Sequence, residues 1–330
     1  MGGASHAVGG AAGVTISTTL VLVQLLVLGL VVGSFLNVVI ARVPHGQSIV
    51  GPGSRCPRCG HVLSWYENVP LLSWLVLRAR CRGCKAPISA RYPAVELLTG
   101  LLFAAAGWVF GWSWELLRLL LLVGFLVPLA LIDLEHWIVP VGITVLGTAA
   151  GLLSALPLGL PTVEESAIGA AAGFLVFWAL ERVSLILVVK VLRPPLRRLR
   201  AAVARARGEP PPEPEPDPTE ALGAGDKWIM LLVGSYLGWR PLFGVLLLSA
   251  VQGALVGTTL LLLQGRAGST PPPPGAPATE DGWEPEATAL PYGPWLALAA
   301  LEIAFLGPWL AEAFPSPLVA LLTGQPWVPP

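Results

Sequence analysis

Charge is what this chain has least of. Asp, Glu, Lys and Arg make up 12% of its 330 residues, where a soluble domain carries roughly a quarter. Hydrophobic residues make up 54%, and the mean hydropathy is +0.71. An ordinary soluble globular domain is thereby excluded, and a polytopic membrane protein is expected. No basic residue precedes the first apolar run, which is itself long enough to span a bilayer, so no cleavable signal peptide is expected. Internal repeats are absent as well, which speaks against a fold built from paired halves.

Apolar stretches of spanning length recur along the chain. They read as Thr18–Ile40, Ala94–Trp112, Leu116–Asp133, Ile138–Leu158, Ala167–Leu192, Trp228–Leu237, Leu242–Gln264 and Trp295–Phe314. The sixth is short: a full crossing, a re-entrant segment and a fusion with its neighbour are all open to it. Net charge is zero but unevenly placed. The loop after the first span holds Arg42, Arg55, Arg58, Arg78, Arg80, Arg82, Lys85 and Arg91; the loop after the fifth holds Arg193, Arg197, Arg198, Arg200, Arg205, Arg207 and Lys227. Opposite loops offer little beyond Arg118 and Arg240. The positive-inside rule puts both basic loops in the cytoplasm and both termini outside. Topology already explains this charge, so nucleic acid is not an expected partner.

The expected fold is all-α, with about eight transmembrane helices and a cytoplasmic insert between the first two. Residues 1–17 read as an extracytoplasmic tail, 18–40 as the first helix and 41–93 as the insert. The membrane core runs from 94 to 264 and is interrupted by a basic and proline-rich loop at 193–224. A proline-rich cytoplasmic linker occupies 265–294, and 295–330 holds the last helix and a tail. The segments "GEPPPEPEPDPTE" at 208–220 and "GSTPPPPGAPATEDGWEPE" at 268–286 read as extended spacers.

This topology has a chemical consequence. The third span runs inward and ends in "LALIDLEHWIVP", leaving Asp133 at its cytoplasmic end. The sixth starts at the same face directly after Asp226, in "TEALGAGDKW". Either carboxylate alone is a common helix-end charge. Two at one depth, the second on a hinge of Gly223 and Gly225, read better as a site. Facing aspartates share a proton and titrate as a pair. Such a pair suits peptide hydrolysis: one carboxylate takes a proton from water while the other polarises the carbonyl.

The cysteines form two CxxC pairs, Cys56–Cys59 and Cys81–Cys84, separated by 21 residues within the basic loop. The cytoplasm disfavours disulfides, and four thiolates at this spacing suit tetrahedral zinc in a closed, structural site. Glycines after Cys59 and before Cys84 fit tight metal-binding turns. A loop of about fifty residues has little core of its own, so metal would supply much of its stability. His61 reads as a bystander beside a complete ligand set.

"GAGD" at 223–226, with "IDLEHWIVP" at 132–140, resembles the paired motifs of the type IV prepilin peptidases, membrane aspartic proteases of the GxGD kind. "GSFLNVVIARVP" at 33–44, the long block at 56–100 around the cysteines, and "PYGPWLALAA" at 291–300 resemble family blocks in the family's order. The resemblance implies cleavage of the short basic leader of type IV prepilins and type II secretion pseudopilins, after the leader's final glycine and on the cytoplasmic face of the inner membrane. It also implies N-methylation of the new terminus, usually phenylalanine, from S-adenosylmethionine. No Rossmann glycine fingerprint is present, so a soluble methyltransferase fold is excluded. By motif match Asp133 and Asp226 carry over as the catalytic pair, with Gly223, Gly225 and Lys227 on the active-site loop. Asn37, Glu67, Asn68, Arg91, Tyr92 and Glu96 fall in the family-like blocks and are candidates for substrate or methyl-donor contact; a Glu96–Arg91 ion pair is the plainer reading of those two.

The chain departs from the pattern where Ala221 and Leu222 replace a usual glycine and methionine. Lys227 follows the aspartate directly, so Trp228 takes the usual lysine place, and Val141 replaces a common acidic residue. Glu181, Lys190 and Glu302 lie within spans without an evident role. The thirteen tryptophans read as interfacial anchors and packing. Two other classes remain in view: an ion-coupled transporter, which would place its carboxylates nearer the midplane, and a non-catalytic assembly scaffold, which gives no reason for matched aspartates. Membrane lipid is an expected partner; oligomeric state is not legible in the sequence.

Overall fold

A computed structural model describes residues 16–156, 161–206, 223–267 and 291–325. The residues before 16 and both proline-rich spacers lie outside them, as do Ala221 and Leu222. Among the described residues the fold is helical, with only isolated β-bridges. The chain forms two compact units. One takes the residues up to Asn37 with Gly53–Leu116; the other takes Val38–Pro52 and the chain from Leu117 onward.

The first unit contains most of α1 (Ile16–Arg42), the short α2 (Leu72–Val76) and α3 (Arg91–Phe110). α1 and α3 are both long and apolar enough to cross a membrane. They approach closely because Gly33 faces α3: a Cβ there would lie 2.7 Å from Glu96 Cα. Small residues let membrane helices touch backbone to backbone, where dispersion replaces the missing hydrophobic drive. Between α1 and α3 stand two matching knuckles. Cys56 N–H donates to His61 O at 2.9 Å, and Cys81 N–H donates to Ala86 O at 2.8 Å. The first knuckle turns at Gly60 in the left-handed region (φ 72). The second knuckle turns through Arg82, Gly83 and Cys84, with Lys85 as its left-handed residue (φ 59), and Gly83 packs beside His61 and Cys59.

The second unit is built around an unusually short helix. α4 (Trp114–His136) ends at Trp137, which takes a left-handed conformation (φ 57) where glycine is usual. α5 (Val141–Ser154) presents Thr144, Gly147, Thr148 and Gly151 as one buried face, at helical spacing. α6 (Val163–Ile186) starts at a capping box between Thr162 and Glu165. It passes through a π-helical stretch, Leu187–Leu192, into α7 (Arg193–Ala206). The basic stretch expected as loop is therefore helical as far as Ala206. Pro194 and Pro195 cannot donate to the preceding turn, and the helix widens just before them.

α8 (Asp226–Leu237) has 12 residues, about 18 Å at 1.5 Å per residue, well short of a ~30 Å hydrocarbon core. It is buried nearly all round, through Ile229, Met230, Leu232, Val233 and Tyr236. Gly169 of α6 meets Gly234 of α8 backbone to backbone. Gly238 (φ 78) then turns the chain into α9 (Leu242–Ala267), so the sixth span is a separate helix. Arg118, counted among the loop charges although it falls within the third span as read, lies inside α4 and is buried. Its guanidinium donates to Tyr236 O (2.7 Å) and Ser235 O (3.3 Å), closing the carbonyl end of α8. α10 (Gly293–Ala313) and α11 (Pro317–Thr323) complete the unit. Among the described residues six helices are thus long and apolar enough to cross a membrane, and α5 and α8 are the two shorter members of the expected eight.

Candidate active site and metal centre

Three helix ends meet in the second unit. Asp133 occupies the last turn of α4, Asp226 is the first residue of α8, and Gly293 is the first of α10. Asp133 and Asp226 are 6% and 4% exposed, and they lie near enough to interact electrostatically. Gly293 N–H donates to Asp133 Oδ2 at 3.0 Å. A Cβ on Gly293 would lie 2.5 Å from that oxygen and 2.7 Å from Ile229 Cδ1, one turn beyond Asp226. Glycine is therefore required by close approach, not by its backbone angles.

The Asp226 loop is set by equally local contacts. Asp226 N–H donates to Gly223 O at 3.1 Å, and Gly225 lies so near Val139 that a Cβ would collide with its side chain. The loops that follow Asp133 and precede Asp226 therefore touch. Among the described residues Asp226 Oδ2 is buried without a hydrogen-bond partner, which is rare for a buried acceptor.

Lys227 Nζ meets Glu181 Oε2 of α6 at 2.7 Å, both side chains largely buried. Trp228 packs edge-on against Phe174, with ring centres 5.2 Å apart. Glu181, which the sequence left without a role, so joins α6 to the first turn of α8. Lys227→Met is expected to destabilise the protein by about 3–5 kcal/mol, since it strands a buried carboxylate. Thermal unfolding in detergent reads this, and Lys227→Gln combined with Glu181→Gln restores most of the loss. Tyr292 hydroxyl pairs with Ser249 Oγ at 2.7 Å, and Glu302 pairs with Gln252.

The remaining candidates belong to the first unit. Asn37 Nδ2 donates to Tyr92 O at 3.0 Å. The partner the structure gives Glu96 is the Leu71 backbone N–H, at 2.8 Å. Ser64 N–H and then His61 hold the Glu67 carboxyl below the usual range, with His61 Nε2 3.1 Å from Glu67 Oε2. Asn68 is exposed and Arg91 half-buried.

The sulfurs of Cys56, Cys59, Cys81 and Cys84 all lie within 4.8 Å of one another and could hold a metal ion. Two of the separations are 3.8 Å (Cys56–Cys84) and 3.9 Å (Cys59–Cys81), with no disulfide formed. The backbone N–H groups of Cys59 and Arg58 lower the Cys56 thiol, whereas the neighbouring Cys84, Cys56 and Cys81 raise that of Cys59, as expected where four thiols crowd together.

Helices long and apolar enough to cross a membrane, two buried aspartates at adjoining helix ends and a four-cysteine insert are the features of a polytopic membrane protein. Residues 27–110 match the bacterial peptidase A24 N-terminal domain, and residues 120–258 match the type IV leader peptidase family. A prepilin leader peptidase/N-methyltransferase of Myxococcus xanthus is 47% identical, over 92% of this chain and 96% of its own length. Proteins of the same name from Aeromonas hydrophila and Stutzerimonas stutzeri are 36% and 33% identical. They cover 82% and 85% of this chain, and 85% and 94% of their own lengths. No solved structure gives a significant match. The chain belongs to the type IV leader peptidase family.

Proposed function

We propose that this protein is an inner-membrane aspartic endopeptidase that removes the leader of type IV prepilins and type II secretion pseudopilins, with Asp133 and Asp226 as its catalytic pair. The observation that carries this reading is the burial of both carboxylates at adjoining helix ends, Asp133 accepting from the Gly293 backbone N–H. One carboxylate takes a proton from the attacking water. The other gives its proton to the carbonyl oxygen, which becomes the hydroxyl of a tetrahedral intermediate. On collapse the amide nitrogen leaves with a proton from the dyad, and the pair is restored for the next cycle. Gly293 fixes the rotamer of Asp133, while the Lys227–Glu181 pair anchors the turn that presents Asp226. The positive-inside rule supports a cytoplasmic position for this site and for the cysteine insert.

The relatives' name supports N-methylation of the new terminus as a second activity, with S-adenosylmethionine supplying the methyl group. Asn37, Glu67, Asn68, Arg91, Tyr92 and Glu96 remain its candidate contacts, although Glu67 and Glu96 already serve backbone donors in the insert. Zinc is the metal that suits the cysteines. A tetrahedron with Zn–S near 2.3 Å has edges of roughly 3.8 Å, and the two measured sulfur separations fall there. Four protein ligands leave no open position, so the metal's part is structural. Stripping it with a chelator is expected to release about one zinc per chain and to make the insert's knuckles susceptible to protease. Metal analysis and limited proteolysis read the two effects.

The proposed function is tested by giving the purified protein a prepilin-like peptide in mixed micelles and following the leader by mass spectrometry. Release after the leader's final glycine is the expected result. A folded, metal-loaded protein that leaves several such peptides intact would overturn the assignment.

A further inference from the structure

The insert carries an apolar surface that the metal site does not use. In the run Leu71–Leu77, Leu72 and Leu75 are each 61% exposed and Val76 is 80% exposed; nearby Trp65 is 81% exposed. Trp74 differs: its Nε1 donates to Ile88 O at 3.2 Å and faces the insert. Apolar side chains on a water-facing loop would be disfavoured and would invite aggregation.

Depth explains them. Leu71 N–H donates to Glu96 Oε2 at 2.8 Å, and Glu96 is a buried residue of α3, a helix long and apolar enough to cross a membrane. Glu96 lies five residues past Arg91, the start of α3, or about 7 Å along the axis. The chain leading into α2 is therefore tied beyond the first turn of a helix long and apolar enough to cross a membrane. Leu71 (φ 58), Arg78 (φ 51) and Ala79 (φ 57), which bracket α2, all hold positive φ angles that non-glycine residues rarely adopt. A fold that maintains three such residues around one exposed turn is fixing that turn's position. Arg78 and Arg80, both exposed, follow immediately. Cations just beyond an apolar turn match the phosphate layer of an anionic leaflet.

We propose that Leu72–Val76 is an interfacial anchor: it inserts Leu72, Leu75 and Val76 into the lipid leaflet at the start of α3, with Arg78 and Arg80 on anionic headgroups. The insert is then a membrane-seated module and not a domain suspended in water. Its occupant is lipid, and the charge complementarity selects acidic lipid.

The test places the photo-crosslinker p-benzoylphenylalanine at Val76 in the full-length protein, held in nanodiscs of equal phosphatidylglycerol and phosphatidylcholine. Adducts are weighed by mass spectrometry. Leu20 on α1 (58% exposed) serves as the lipid-facing reference, and Val62 in the first knuckle (60% exposed) as the water-facing one. The Val76 site is expected to give lipid adducts within about twofold of Leu20 and at least about tenfold above Val62. Phosphatidylglycerol should exceed phosphatidylcholine among them by about threefold, and Arg78→Gln combined with Arg80→Gln should return the ratio to one. Adduct yields at the Val62 level would overturn the proposal. So would crosslinks to added prepilin-like peptide in place of lipid, which would make this a peptide surface. The crosslinker at Leu72 repeats the measurement should the Val76 protein lose its metal, the sign of a misfolded insert.

Discussion

Asp133→Asn and Asp226→Asn each lower the rate of leader release by at least about a thousandfold, and the double variant is little worse than either single one. The size follows from the division of labour. An asparagine in place of the base cannot accept the proton of water, and one in place of the acid cannot deliver a proton to the carbonyl oxygen or the leaving amine. Because the two groups act on one proton inventory, losing the second after the first removes little more. Stability moves the other way or not at all. Asparagine keeps the shape, and at Asp133 its carbonyl oxygen still accepts from Gly293 N–H. At Asp226 the open, buried oxygen becomes part of a neutral amide. Removing a functionally placed charge commonly stabilises a protein, so thermal midpoints at or above wild type are expected. Leader release within about tenfold of wild type in either variant would discard the pair as the catalytic machinery. A lowered midpoint would show that the residue serves the fold.

The aspartates and the cysteines were legible because short motifs carry them. A carboxylate at the end of an apolar run is conspicuous, and two CxxC pairs in a basic loop suit little besides a metal. Contacts made by backbone atoms have no such signature. "PYGPW" could be quoted as a family block, yet nothing in its letters says that Gly293 N–H reaches Asp133, 160 positions earlier. The Lys227–Glu181 pair spans 46 residues and joins two helices whose register only packing decides. The third span, read as Leu116–Asp133, already held Arg118, but nothing in the letters told that the carbonyls closing α8 would be its partners. Window hydropathy also cannot tell a helix that spans lipid from one enclosed by other helices. α8 is apolar like the rest, and only its length of 12 residues, with the glycine contact that encloses it, sets it apart; α5, at 14 residues, buries one face and leaves Val145, Leu146 and Leu153 exposed.

Gly293→Ala is expected to lower kcat for leader release by about a hundredfold with a much smaller change in KM. One methyl group does this because both neighbours of the missing Cβ belong to the site. At 2.5 Å from Asp133 Oδ2 and 2.7 Å from Ile229 Cδ1, the methyl cannot be accommodated unless α10 or the carboxylate shifts. Either movement lengthens the Gly293–Asp133 hydrogen bond and turns Asp133 relative to Asp226. A misplacement near 1 Å is sufficient for losses of this size in positioned chemistry. The α10 side of the contact is firm: Tyr292 is tied to Ser249, and Leu296, Ala299 and Ala300 are fully buried. The carboxylate is therefore the part that gives. A purely structural role for Gly293 predicts a different pattern, in which the thermal midpoint falls and the surviving folded fraction turns over normally. Measuring kcat per folded, substrate-binding molecule separates the two. An unchanged kcat in that measurement would show that Gly293 serves only packing, and that Asp133 finds its working position without the α10 backbone.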